Sequence, residues 1–441
     1  MPLPRARHVM QSSSENQTGV LESLLDNLRI PVEYQALELE SGPLLRWKDV
    51  AWQSLNKLQA VEPETLVASV RSRFLLRVTS LIGVDDFTSQ STSDLAKNIA
   101  DKCVSHQPTS CQSIVREVLE TEINPLFIAS AHPRVNLDSG RSLPRPAGGT
   151  AATQDFYREQ HWKNEGLGCW NCLRWCIMQL DDGDFETLWP LVIPPLMTLV
   201  DDFDPRFKPR GIAVATELVD RVDASLLKRT GVDSLLFQFL GTAMRFLSEE
   251  TAPPLFLAST TCYLRLTNRI AEPGSQRRYE LLWTLISEDI IGGAWIYGTR
   301  NAKMIETSVE ALIPVVDELG ISSVRFFKAL IPQLSEFMIT KPEVPTAPRL
   351  QLLSCRCLTG LIRICAGTGL VGSWKHRILD SLLRCWVETK EKRSEDATLV
   401  TALLELAREL VAVSPDIHDK ELPRLMQADP SMFSDLFPKK S

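Results

Sequence analysis

The sequence predicts an all-α protein built from stacked helix pairs. Three observations carry that prediction. Apolar residues recur at helical spacing along most of the chain. No run alternates β-branched residues between turn dipeptides, so strands have little support. After residue 160 the helical segments come in pairs, which begin at about 185, 233, 277, 322 and 373, so the repeat interval is about 44 to 51 residues. A two-helix unit at that period is the signature of HEAT and armadillo-type solenoids, in which each helix leaves an apolar stripe that a neighbouring repeat covers.

Composition agrees and excludes several function classes. The chain has 441 residues, 44% hydrophobic and 23% charged, which suits a globular protein with a large core. A formal charge of −7 argues against a general nucleic-acid binder, because such a protein needs a basic face to displace counterions. The longest apolar run, Leu188 to Val200, is far short of the ~20 residues that span a bilayer, and it holds Pro190, Pro194 and Pro195. No membrane association is expected. The polar N-terminus has no apolar core and does not read as a secretory signal. The expected residence is the cytoplasm, with the nucleus as the alternative. The ten cysteines are spread over apolar segments and read as reduced core thiols rather than a disulfide framework.

In chain order, residues 1–17 are polar and read as a disordered N-terminus. Residues 18–129 read as an N-terminal helical region. Its helices are expected at Val20 to Leu28, Leu44 to Leu58, from Pro63 to about Gly83, Ser93 to Val104, and Ser113 to Phe127. Residues 130–160 are rich in Pro and Gly and read as a flexible linker or loop. Residues 161–414 read as the HEAT-like repeat region. It opens with one long helix over His161 to Leu180 and continues as five pairs. These are Phe185–Val200 with Pro209–Val222, Asp233–Leu247 with Pro253–Ile270, and Arg277–Ile291 with Ala302–Leu319. Ser322–Phe337 with Pro348–Ala366 and Ser373–Glu388 with Glu395–Val413 complete them. Residues 415–441 read as a cap and tail.

The densest signal lies between His161 and Arg221. An apolar first helix carries Pro194 and Pro195, which remove helical donors and cost about 3 kcal/mol if uncompensated. An acidic turn follows, in which Asp201, Asp202 and Asp204 can accept backbone N–H groups. Gly211 then lets two helices approach closely. This is the layout of a HEAT repeat.

The segment also resembles the family of the second Tel-two-interacting protein. The matching pieces are Trp162-Lys163 ahead of a Trp- and Cys-bearing helix ending at Trp175, then Pro194-Pro195-Leu196, Leu199, Asp201-Asp202, and Lys208 two residues before Arg210-Gly211. The resemblance implies a non-enzymatic α-solenoid, a subunit of the TTT co-chaperone complex. Its direct partner would be a much larger HEAT-repeat sister subunit, and through that the Tel-two protein. Together they would help the ninety-kilodalton heat-shock chaperone mature the phosphatidylinositol-3-kinase-related kinases, which serve DNA-damage signalling, growth control and telomere maintenance. The alternative is another HEAT-repeat scaffold of the nuclear-transport or phosphatase type.

Within this reading, the candidate partner-binding residues are Asp201, Asp202, Arg206, Lys208, Arg210 and Trp295. The charge cluster reads either as an internal ladder of caps and ion pairs or as a ridge facing a partner. Trp295, in a Gly-flanked break beside Tyr297, reads as an exposed aromatic of the kind enriched in interface hot spots. Cys169, Cys172 and Cys176 fall at i, i+3 and i+7 on one helical face, which favours packed thiols over a zinc site. No nucleophile elbow, phosphate-binding loop, metalloprotease helix or dinucleotide fingerprint is present, so no catalytic, cofactor or metal site is expected.

Overall fold

The computed structural model describes residues 19–35, 42–62, 66–105, 110–144, 160–247, 250–340, 348–391 and 396–437. As the helical spacing predicts, the protein is all-α. Among the described residues no strand forms, and the β pairing is a single bridge between Val135 and Ser142. The chain divides into two compact units, Met1–Phe239 and Leu240–Ser441.

The first unit begins with α1 (19–27), α2 (Gly42–Leu58), α3 (Ala68–Thr79) and α4 (Gln90–Ser105). Pro63 lies outside the described residues. Next, α5 (Cys111–Val118) runs through a π turn, Leu119–Ile123, into Asn124–Phe127. Each buries one apolar stripe, as in α3, where Phe74, Leu75 and Val78 are buried.

The segment from His161 to Leu180 is not one helix. It is α6 (His161–Asn164) and α7 (Cys169–Met178). The break sits at glycine. Gly168 caps α7 with φ of 84°, and a Cβ there would lie 2.8 Å from the Ser80 carbonyl oxygen. Helical spacing alone does not reveal a left-handed residue inside an apolar run.

The repeat itself follows as α8 (Asp182–Val200) and α9 (Lys208–Arg221). Pro195 has no N–H to offer the Leu191 carbonyl, and Asn124 Nδ2 donates to that carbonyl instead, at 3.3 Å. The proline cost is thus partly offset from a different helix. Then α10 (Ala224–Thr230) is capped by Asp223 and closed by Gly231 at φ 71°. It precedes α11 (Val232–Met244), within which the unit boundary falls.

Part of the Pro/Gly-rich stretch is built in. Asn136 Oδ1 accepts from the backbone N–H groups of Asp138 and Ser139, forming an Asx turn. Ser142 N donates to the Thr230 carbonyl at 2.8 Å, and Val135 is buried. Residues 145–159 lie outside the described residues.

The second unit contains α12 (Ala252–Ile270), α13 (Gln276–Thr284), α14 (Ala302–Leu319) and α15 (Phe327–Met338). Then come α16 (Pro348–Ile364), α17 (Lys375–Glu391) and α18 (Ala397–Val413). Here the helix pairing is plain: α12, α14, α16 and α18 pack successively as one layer, and α15 and α17 pack on each other beside it. Ion pairs tie the first layer on its outer side, with Arg349 to Glu310 and Arg363 to Glu409. One departure is that α13 continues as a π segment, Leu285–Ala294. The chain closes in three short helices, and Trp386 Nε1 donates to the Met432 carbonyl at 2.8 Å.

Gly211 is the tightest point of the α8–α9 pair. A Cβ there would meet Leu199 C at 2.5 Å and Leu199 O at 2.6 Å, both backbone atoms that cannot move aside. We expect Gly211→Ala to cost about 3 kcal/mol or more, read as a large drop in melting temperature. Gly241, also helical, has open space around its Cβ position. Gly241→Ala should be neutral or stabilise by up to about 1 kcal/mol. Equal effects of the two would remove the close approach as the reason for Gly211.

Candidate functional site

The sequence motif folds into one polar cluster walled by aromatic rings. Its centre is Lys163, on α6. Its ammonium donates to Asp202 Oδ1 at 2.8 Å. It also lies 4.6 Å from the ring centres of Phe203 and Phe207 and 5.0 Å from that of Trp162. Both ions are buried, Asp202 to 1% exposure. Asp202 further accepts from the Asp204 N–H at 2.8 Å and from Gln160 Nε2 at 3.3 Å. Burial pushes the Asp202 carboxyl up and the Lys163 ammonium down, and the attraction between them only partly reverses either shift.

Around this pair the turn Asp201–Phe207 is braced from both sides. Arg206 takes Asp204 in a two-point grip, at 3.0 and 2.7 Å, and donates to the Gln35 carbonyl at 2.6 Å. Burial acts to raise the Asp204 carboxyl, but the hydrogen bonds and charge of Arg206 outweigh it and hold the group below its usual range. Gln35 in turn donates to the Lys163 carbonyl. On the other side Asp201 meets His132 Nε2 at 3.1 Å. The Arg134 N–H points at His132 Nδ1, so Nδ1 accepts and the neutral ring carries its proton on Nε2 toward Asp201.

Arg210 reaches further. Its Nε donates to Asp85 Oδ1 at 2.7 Å, and the guanidinium lies 5.0 Å from the Trp170 ring. Asp85 Oδ2 accepts from Trp170 Nε1 at 3.1 Å and Asn171 Nδ2 at 2.8 Å. Trp162, Trp170 and Phe207 meet edge to face, and Trp162 stacks on Phe127 at 5.7 Å.

The structure therefore gathers Trp162, Lys163, Asp201, Asp202, Arg206, Lys208 and Arg210 in and around one turn. Trp175, Pro194 and Pro195 are buried supports, and Gly211 sets the helix spacing. Three candidate contact residues are buried, Asp202 as described above and also Lys208 and Trp295, and the exposure expected of Trp295 is corrected. Lys208 is only 2% exposed, its ammonium is 3.5 Å from the Val200 carbonyl, and burial pushes its pKa down against the nearby Asp201 and Asp202. Its long stem packs as a hydrophobe. Trp295 is 9% exposed, with Nε1 donating to Ser308 Oγ at 2.9 Å; its neighbour Tyr297 is the exposed ring, at 74%. Trp295 belongs to the second unit. The exposed members of the ridge are Arg206, with 45% of its side chain accessible, and Phe203, at 55%.

Several participants were not singled out from sequence. Asp85, His132 and Gln35 come from segments with no charge pattern of their own. The Phe203 and Phe207 rings carried a usable signal, since one stands within the acidic turn and the other at its end, four residues on.

Lys163 pairs with Asp202, Arg206 with Asp204 and Arg210 with Asp85, and the described residues contain no group of three metal-capable side chains. Cys169, Cys172 and Cys176 are buried in α7, and burial pushes the Cys169 and Cys176 thiols up. No helix among the described residues is long and apolar enough to cross a membrane. The fold is that of an all-α helical-repeat protein. A model of the Tti2 family matches residues 75–346, which takes in the whole motif, and the chain belongs to the Tti2 family. Membership implies a subunit role in the TTT complex.

Two outcomes test this architecture. Asp202→Ala strands a buried ammonium and should cost about 3–5 kcal/mol. Adding Lys163→Met to that variant should recover part of the loss; additive losses in a double-mutant cycle would mean the pair is not coupled. Of the ten thiols only Cys111 is partly accessible. A native-state thiol titration should therefore count one reactive cysteine, and several fast-reacting groups would contradict the packing.

Proposed function

We propose that this chain is the non-enzymatic scaffold subunit of the TTT co-chaperone complex. In this reading it binds the large HEAT-repeat sister subunit directly and the Tel-two protein through it. The assembly then assists the ninety-kilodalton heat-shock chaperone in maturing and stabilising phosphatidylinositol-3-kinase-related kinases, with consequences for DNA-damage signalling and telomere maintenance. Its place of action is the cytoplasm, extending to the nucleus. The observation that carries the reading is the family match across residues 75–346.

The Asp201–Arg210 ridge is the proposed contact surface. An exposed aromatic beside a half-exposed, pre-positioned guanidinium has the composition of an interface anchor. Phe203 and Arg206 carry that role. Asp202, Lys208 and Arg210 act beneath them by fixing the turn. Trp295 is a contact candidate only through its exposed neighbours Ile296 and Tyr297.

The test is affinity purification from native cells with mass spectrometry of what stays bound. Recovery of one large HEAT-repeat protein and the Tel-two protein in near-equal amounts is expected. A transport GTPase or a phosphatase subunit in their place would favour a different scaffold. For the surface, Phe203→Ala with Arg206→Glu should lower sister-subunit capture by about tenfold or more while leaving helical content intact. Lys208→Glu is a poor probe, because it buries a carboxylate beside Asp201 and Asp202 and should unfold the first unit. A folded double variant that captures the sister subunit undiminished would place the contact elsewhere.

A further inference from the structure

We infer that the second unit carries a recognition cleft for an acidic peptide segment, centred on Arg325. This goes beyond the function proposed above and does not rest on it.

The cleft lies between the start of α13 and the 3-10 segment Gly320–Phe326, and it encloses about 400 Å³. That is within the range of ligand-binding sites. Its wall is polar, with Ser275, Gln276, Arg278, Tyr279, Ser322 and Arg325 among the lining residues. One acid, Glu318, also lines it, but Glu318 is already engaged. It pairs with Arg278 and accepts from Asn268 Nδ2 at 2.9 Å. Arg278 spends a further donor on the Ala271 carbonyl, at 3.1 Å. The wall's own acid and one of its two arginines therefore neutralise each other.

Arg325 is different. It is exposed, and its guanidinium lies 5.4 Å from the centre of the Tyr279 ring. Among the described residues no carboxylate pairs with it. Most surface arginines of this unit do find acids, as Arg349, Arg363, Arg377 and Arg384 do. The aromatic contact restrains the planar fork and leaves its N–H edges unused. Such a fork matches a carboxylate in two-point geometry. The Tyr279 hydroxyl is shut off from solvent and has no hydrogen-bond partner.

The charge around the cleft has the same sign. Arg277 on α13 and Lys328 in the first turn of α15, directly after the 3-10 segment, are exposed. They stand on a chain whose net charge is −7. A single uncommitted guanidinium suits a singly charged carboxylate better than a phosphate, which needs more than one cation to replace its hydration. The Ser275 and Ser322 hydroxyls and the Gln276 amide supply donors and acceptors for a peptide backbone. An acidic segment of a partner protein is the occupant these features fit.

The experiment is a fluorescence-anisotropy titration of the full chain with a short labelled peptide of alternating Glu and Gly. Saturable binding that weakens as salt rises is expected. Arg325→Glu should weaken it by about tenfold or more, and Arg325→Lys, which keeps the charge and loses the fork, by a smaller factor. Arg384→Glu removes an exposed charge of the same unit and serves as the control. Unchanged melting temperatures establish that the variants are folded. Three results would overturn the inference: no saturable binding, an equal loss in Arg384→Glu, or binding of inorganic phosphate without binding of the peptide.

Discussion

A lysine ammonium held out of water beneath three aromatic rings is the constraint on which the first unit depends. Removing a cation and a carboxylate from water costs several kcal/mol for each ion, and only good geometry offsets it. Lys163 and Asp202 achieve this by sharing a short contact and by filling the remaining valences of Asp202 with Gln160 and the Asp204 N–H. The consequence is register. Asp202 cannot turn outward without stranding Lys163, so the turn that follows α8 has one conformation. Phe207 is thereby fixed against Trp162, and α9 begins where Gly211 can pass the Leu199 backbone.

The same constraint organises the N-terminal helices. Tyr34 packs edge to face on both Trp47 and Phe87, and Phe87 reaches Trp170. Trp170 meets Phe207 and Trp162, and Trp162 stacks on Phe127. A continuous run of rings thus leads from α2 to the repeat. Asp85 adds a polar tie, because it collects donors from Arg210, Trp170 and Asn171, all far along the chain. The N-terminal helices and the α8–α9 repeat are therefore one packed unit, in agreement with the compact division at residue 239.

Helix content and the later pairs were legible because amphipathic spacing is local. Ala51, Leu55 and Leu58 announce the buried face of α2 without help from elsewhere, although Val50, which the same spacing puts on that face, is exposed. Gly211 was legible for a similar reason, since a glycine opening a repeat's second helix points to close approach. What failed depended on partners distant in sequence. The break at Gly168 follows from Ser80 and Ile30, which crowd any Cβ there. The burial of Lys208 follows from a stem long enough to hide its charge beside acids of the preceding turn. Trp295 found Ser308, a hydroxyl thirteen residues on, and so turned inward. The π segment after Thr284 has no spacing signal, because a widened turn shifts the apolar face by only one residue.

The residues that make the motif recognisable are thus not the ones best placed to touch a partner. Asp202 and Lys208 are buried, so in the proposed interface they would act by holding the shape of the turn. Phe203 joins the two roles. Its ring is half exposed, and its face lies 4.6 Å from the Lys163 ammonium. A partner seated on Phe203 would exclude water from the outer side of that ring. The cation–π contact and the Lys163–Asp202 attraction both strengthen as the local dielectric falls. Docking on the ridge would then tighten the ion pair that sets the turn, and a turn already fixed would present Phe203 and Arg206 with little ordering cost. A partner seated on the proposed ridge would thereby couple its binding to the stability of the first unit through one aromatic ring.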